Sequence, residues 1–121
     1  MHSILIVDDS QVIRRSLRSW IEQTLRCKVC GEAENGQAAL EKVDELRPDI
    51  VIMDFQMPVM NGLDASRNIL RHFPGTAIVM FTLHPSKELM RAAQEAGVRD
   101  VVSKTDRPSD RLSVAVQQIL S

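Results

Sequence analysis

Four short strand-like runs in this chain, three of them apolar throughout, each end on a residue able to handle phosphate or a cation. Ile4-Leu5-Ile6-Val7 runs into Asp8 and Asp9, Ile50 to Met53 into Asp54, Ala77 to Phe81 into Thr82, and Asp100 to Ser103 into Lys104. Singly these are weak signals, since an aspartate after a strand is often a turn residue or helix cap. A lone lysine is usually a solvated charge, and a threonine an ordinary strand-end hydroxyl. Together they are specific. Three carboxylates meeting in one crevice repel one another and require a cation. Mg²⁺ suits them, because it is held by a few carboxylates, keeps waters and leaves room for phosphate oxygens. Lys104 as a point charge and Thr82 as a donor would complete an anion site. The chemistry such a set favours is phosphoryl transfer to a carboxylate, where positioning and charge neutralisation do most of the catalysis. Asp54 is the natural nucleophile, between the acid pair and Lys104. Mg²⁺ and Lys104 would stabilise charge on the transferred group.

The elements that must position these residues follow one alternating pattern. After the first strand, Ser10 can cap a helix whose apolar positions Ile13, Leu17, Trp20, Ile21 and Leu25 recur at helical spacing. Lys28 to Ala33 is a second, less hydrophobic strand, expected nearer an edge. Asn35-Gly36 turns into a helix through Ala39, Leu40, Val43 and Leu46, ended by Arg47-Pro48 because the residue before proline leaves the helical region. Ile50 to Met53 is continuously apolar, as a strand buried on both faces should be. Pro58 and Asn61-Gly62 punctuate a loop before a helix from about Leu63 to His72. Ala77 to Phe81 is the fourth strand. Ser86 can cap a helix with Leu89, Met90, Ala93 and Ala96 inward and Gly97 as its left-handed stop. Asp100 to Ser103 is the fifth strand, and a last amphipathic helix carries Leu112, Val116, Ile119 and Leu120.

Five strands each followed by a helix imply an α/β fold, a doubly wound parallel sheet with right-handed crossovers, and too few units for an eight-stranded barrel. In such sheets the functional crevice lies outside the carboxyl ends of the strands. The residues named first all stand there.

Bulk properties agree. At 121 residues the chain reads as one domain, 1–121, large enough to bury about two-thirds of its unfolded surface. Fifteen basic and 16 acidic residues leave a formal net charge of −1, giving no global footprint for direct nucleic-acid or anionic-membrane binding. No apolar run approaches membrane-spanning length and the N-terminus lacks a signal-peptide pattern, so a cytoplasmic location is expected. Cys27 and Cys30 form a C-x-x-C, but at a helix end entering a strand rather than at a helix start. They point to opposite strand faces, and no second pair exists to complete a zinc site. Buried structural thiols are expected.

The chain resembles the response-regulator receiver family of two-component signalling over nearly its whole length. ILIVDDS (Ile4 to Ser10), PDIVIMDFQMPVMNGLD (Pro48 to Asp64), VMFT ending at Thr82 and GVRDVVSK (Gly97 to Lys104) carry the likeness. The resemblance implies a CheY-like, flavodoxin-like sheet of order 2-1-3-4-5, with Asp54 as the phosphoacceptor. It implies that Asp9, Asp54 and the Gln56 backbone carbonyl ligate Mg²⁺ directly while Asp8 acts through water. Lys104 would contact the phosphoryl group and Thr82 would swing inward to it. Pro58 and Gly62 would shape the adjacent loop. It further implies a sensor histidine kinase as donor, homodimerisation on activation, and an output surface on the fourth helix, fifth strand and fifth helix. The run SKTD is similar to receivers joined to DNA-binding output domains of the LuxR/NarL type. Two positions depart from the family pattern. Val101 stands where many receivers have a switch aromatic, and Thr105 where many have a proline. Leu83 replaces a commonly small residue, and its bulk, with Gln56 and His84 nearby, is expected to restrict water access to the phosphorylated site.

Two other readings compete with this phosphoacceptor switch, which turns over no external substrate. A phosphatase of the haloacid-dehalogenase type resembles a D-x-D pattern, but the residue two past Asp54 is Gln56. A pseudo-receiver, serving protein contacts alone, would have lost an acidic residue or the lysine, and none is lost.

Overall fold

Successive strand residues point to opposite faces of a sheet, and here both sets are apolar. Helices must therefore cover both faces. The computed structural model describes all 121 residues. Its strands are β1 (Ser3–Val7), β2 (Lys28–Ala33), β3 (Ile50–Met53), β4 (Ala77–Thr82) and β5 (Asp100–Ser103). They alternate with α1 (Gln11–Trp20), α2 (Gly36–Leu46), α3 (Gly62–His72), α4 (Lys87–Ala96) and α5 (Pro108–Leu120). All strand pairings are parallel, in the order β2-β1-β3-β4-β5, as the family likeness implies.

Ile4, Ile6, Ile50, Ile52, Val79 and Phe81 pack against Leu17 of α1 and Leu112 and Val116 of α5. Their neighbours Leu5, Val7, Val51, Met53, Ile78 and Met80 face Val43 of α2, Ile69 of α3 and Leu89 of α4. Each large aliphatic side chain so buried contributes roughly 1.5–3 kcal/mol of transfer free energy, which fixes the strands whose ends carry the polar residues. No helix is long and apolar enough to cross a membrane.

The caps fall on short polar side chains. Ser10, Asn35, Asn61 and Ser86 accept hydrogen bonds from the backbone N–H groups of Ile13, Ala38, Asp64 and Leu89, satisfying donors that a helix start leaves orphaned. Asn61 thus starts α3 at Gly62, one residue before the expected Leu63. Gly97 closes α4 at φ 97°.

Local departures from the sequence expectations have physical causes. The first helix keeps its apolar spacing to Leu25, but past Trp20 it becomes a π-helical turn, Ile21–Leu25. That turn holds Ile21 fully buried and ends in left-handed Arg26. Arg47 leaves the helical region before Pro48 by turning left-handed, at φ 48° and ψ 59°, rather than extended. Met90 does not line the inner face of α4: it is 49% exposed, because Leu89 and Ala93 already fill the contact with the sheet. Both cysteines are free; Cys27 is buried as expected, Cys30 only half so. Burial pushes both thiols above their ordinary range. Finally, β1 and β2 step in register from Ile4 opposite Val29 to Leu5 opposite Gly31, leaving Cys30 as the extra residue of a bulge.

Candidate functional site

The sheet delivers its polar residues to one edge because each strand stops where its apolar run stops. Asp8 leaves β1 with its N–H still bonded to the Ala33 carbonyl of β2 at 3.0 Å, and Asp54 leaves β3 with its N–H on the Val7 carbonyl at 2.9 Å. The two aspartates are therefore extensions of neighbouring strands, not loop residues, and both are buried. Across the sheet, the Lys104 N–H donates to the Thr82 carbonyl at 2.8 Å, which extends the β4–β5 ladder to the same level.

Lys104 reaches back over this edge. Its ammonium lies 2.7 Å from Asp8 Oδ2 and 3.2 Å from Asp54 Oδ1, with all three side chains nearly shielded from solvent. The Phe81 ring lies beneath the ammonium, 5.7 Å from its centroid. Asp8 Oδ1 accepts the Ser10 N–H and Asp54 Oδ1 the Phe55 N–H, both at 2.9 Å. Asp9 is exposed at the mouth of the crevice. One carboxylate oxygen from each of Asp8, Asp9 and Asp54 lies within 4.8 Å of the others.

The charges do not balance. One ammonium faces three carboxylates, and the Asp54 carboxyl is pushed up to about 6. Burial is the main cause and the charge of Asp8 the next, offset in part by Lys104 and the Phe55 N–H. An all-oxygen donor set with surplus negative charge fits a hard divalent cation. The carbonyl of Gln56 is free of backbone hydrogen bonds and is the next main-chain oxygen but one after Asp54.

The loop after Asp54 is folded back tightly. The Gly62 N–H donates to the Phe55 carbonyl at 2.8 Å, and a Cβ on Gly62 would collide with the Asp54 carbonyl oxygen. Only glycine lets α3 begin there, which ties the loop through Pro58 to the aspartate it follows. Val59 pays for this path with a left-handed backbone, φ 70°, while 82% exposed.

The arrangement of two buried aspartates, an exposed third and a bridging lysine at the ends of a 2-1-3-4-5 parallel sheet coincides with a family match. Residues 4–117 match the family model for the response regulator receiver domain. The chain belongs to that family.

Curated relatives agree. This receiver is 40% identical over 106 residues to the chemotaxis protein CheY of Thermotoga maritima, covering 88% of each chain. It is 44% identical over 108 residues, 88% of its length, to the protein-glutamate methylesterase/protein-glutamine glutaminase 3 of Hahella chejuensis, where it spans 31% of the relative. The receiver thus covers about a third of such relatives. Among solved structures, a LuxR-family two-component response regulator from Aurantimonas sp. SI85-9A1 superposes with a TM-score of 0.90 at 30% identity, covering 98% of this chain and 84% of that one. The receiver is a phosphoacceptor module of signal transduction on this kinship.

Asp8, Asp9, Asp54, Gln56, Thr82 and Lys104 all follow or end strands at this edge. Thr82 is buried at the end of β4 and its hydroxyl has no hydrogen bond within the chain. Leu83 and His84 follow it and are exposed. Val101 is half-buried against the α2–α3–α4 side. Thr105 makes a tight turn in place of the proline of many relatives: its N–H donates to Ser103 Oγ at 3.1 Å. Sequence reasoning missed Arg14, whose guanidinium donates to the Asp8 carbonyl at 2.7 Å. An arginine six residues after Asp8 carries no distinctive signal until α1 is placed beside β2.

Proposed function

We propose that Asp54 accepts a phosphoryl group from a phosphohistidine of a sensor histidine kinase, or from a small phosphodonor, and that the receiver thereby switches its output surface. The observation that carries this is Lys104 bridging buried Asp8 and Asp54 beside exposed Asp9. An Asp54 carboxylate oxygen attacks phosphorus, forming a P–O bond as the P–N bond to the donor imidazole breaks; the leaving nitrogen takes its proton from solvent. Lys104, already 3.2 Å from the nucleophilic carboxylate, moves onto the phosphoryl oxygens as charge shifts to them. Asp8, Asp9, Asp54 and the Gln56 carbonyl would hold Mg²⁺. When bound, Mg²⁺ neutralises the carboxylates and aligns the phosphoryl oxygens.

The unpaired Thr82 hydroxyl turns to a phosphoryl oxygen and draws the segment before α4 with it, shifting a two-state equilibrium. With Val101 unable to serve as an aromatic reporter, α4 and its preceding loop carry the change to the α4–β5–α5 face. Homodimerisation there, and a DNA-binding output domain of the LuxR type joined to the receiver, fit this reading, in keeping with the likeness to a LuxR-family regulator. Val12, Val59 and Leu83, on the segments that follow Asp9, Asp54 and Thr82, are exposed apolar residues, which suits a protein donor. The receiver acts as a switch on its own aspartate and turns over no separate substrate. Its setting is the cytoplasm, where phosphodonors are made.

The test is an intact mass after incubation with Mg²⁺ and acetyl phosphate, beside an Asp54→Asn control. One added phosphoryl group in the wild type, absent from the control and without Mg²⁺, is the expected result. Beryllofluoride binding covers rapid hydrolysis. Failure of both would leave a pseudo-receiver serving protein contacts alone.

A further inference from the structure

Arg14 stands apart from the phosphate chemistry yet grips the peptide on which that chemistry depends. Its Nε donates to Glu32 Oε1 at 2.9 Å, and its Nη1 donates to the carbonyl of Asp8 at 2.7 Å. Glu32 is itself held from the other side, with Arg18 Nε 2.8 Å from Oε2. The carbonyl so gripped belongs to the peptide joining Asp8 to Asp9. The N–H of Asp8, in the peptide before it, is fixed by Ala33, so the edge strand holds Asp8 at both of its backbone polar groups, the N–H directly through Ala33 and the carbonyl through Glu32 by way of Arg14.

The pinning matters most for Asp9. Asp8 has Lys104 and the Ser10 N–H to orient its carboxylate. The Asp9 carboxylate is exposed and makes no hydrogen bond within the chain, so only its backbone aims it at the other two. A rotation of the Asp8–Asp9 peptide would carry that carboxylate away from the cluster. We infer that Arg14, held by Glu32, is a positioning residue that sets cation affinity by fixing the Asp8–Asp9 peptide. This rests on the reading of the acidic cluster as a Mg²⁺ site. A guanidinium is suited to the task because its rigid planar fork holds two acceptors in fixed relative directions, which the rotatable ammonium of a lysine on its flexible stem does not.

The experiment measures Mg²⁺ binding by titration calorimetry to the wild type, Arg14→Lys and, as a control on the same helix, Arg15→Lys. Groups that orient ligands typically account for about 10–100-fold in metal affinity, and Arg14→Lys should weaken Mg²⁺ binding by roughly tenfold. Arg15→Lys should not change it. Phosphorylation by acetyl phosphate should follow, the variant needing more Mg²⁺ but reaching the wild-type rate once saturated. A merely structural role would lower the unfolding midpoint without moving the Mg²⁺ requirement. If the wild type binds Mg²⁺ and Arg14→Lys binds it equally, the Arg14 assignment falls alone. If the wild type binds none, the reading of the site falls and takes this inference with it. Should circular dichroism show Arg14→Lys unfolded, Glu32→Gln replaces it, with the same expected rise and the same overturning result.

Discussion

The ammonium of Lys104 lies closer to Asp8, at 2.7 Å, than to Asp54, at 3.2 Å. The lysine is thus anchored mainly by the aspartate that stays unmodified, which leaves Asp54 free to change its chemistry while Asp8 keeps Lys104 within reach of it.

Replacing Lys104 by methionine removes the only ammonium from a shielded cluster. Breaking one side of a buried ion pair costs about 3–5 kcal/mol, less where a carboxylate can protonate instead. Lys104→Met should therefore lower stability by about 3 kcal/mol without Mg²⁺. Added Mg²⁺ should stabilise the variant more than the wild type. Urea unfolding with and without Mg²⁺ measures both, and equal midpoints for the two proteins would refute the pairing.

Asp9 should separate binding from folding. Asp9 is exposed, so Asp9→Asn should change metal-free stability by less than about 0.5 kcal/mol. A ligand at a hundred times its Kd stabilises the folded state by about 2.7 kcal/mol. The melting temperature of the wild type should climb accordingly with Mg²⁺, while that of Asp9→Asn should climb far less. An identical climb would remove Asp9 from the site.

Glu32 predicts a pH dependence. Burial alone would raise its carboxyl, but hydrogen bonds and charge from Arg18 and Arg14 outweigh that and hold it below the ordinary value of 4.5. A lowered folded-state value stabilises the protein above 4.5, and that contribution disappears as pH falls through the folded-state value. Glu32→Gln should be less stable than wild type near neutrality, and the gap should close as the solution is acidified below 4.5. A constant gap across a thermal-melt pH series would argue against the Arg14–Glu32–Arg18 clamp.

Val59 is β-branched and left-handed, a conformation that costs of order 1–3 kcal/mol outside glycine. Val59→Gly should raise stability by up to about 1 kcal/mol, the gain being reduced by glycine's freedom in the unfolded chain. Chemical denaturation reads this directly, and a loss of stability would mean that the valine side chain has a contact worth more than the strain.

Leu83 is 52% exposed beside Thr82. If its bulk screens the phosphorylated aspartate from water, Leu83→Ala should lose its phosphoryl group several-fold faster, as followed by intact mass over time. An unchanged rate would assign that control to Gln56 or His84.

The central strands and the edge at which the polar residues collect were legible because both faces of the sheet are buried there, leaving apolar runs at β1, β3 and β4 whose ends are unmistakable, while the strand order came from the family resemblance. The caps were legible at Ser10 and Ser86 for a local reason: a hydroxyl beside an apolar run has little else to bond. Met90 was misplaced because two adjacent apolar residues fit helical spacing equally well, and only packing against the sheet selects Leu89. The π-helical turn after Trp20 and the left-handed Val59 left no mark in residue type, since both are imposed by where the chain must go next. Arg14 was invisible for a different reason: its partners Glu32 and Asp8 meet it only once α1 lies across β2.

The bulge at Cys30 decides which side of the sheet Glu32 inhabits. Cys30 and Gly31 both turn toward α2, where a Cβ on Gly31 would press on Leu46, and the alternation then resumes out of phase. Glu32 lies opposite Ile6 and shares the side of α1. Paired regularly, without the bulge, the same residues would put Cys30 opposite Leu5, Gly31 opposite Ile6 and Glu32 opposite Val7, facing away from Arg14. The aim of Asp9 therefore depends on one irregularity in the pairing of an edge strand: closing the bulge at constant sequence would turn Glu32 to the other side of the sheet, whereas deleting its extra residue would leave Glu32 opposite Ile6.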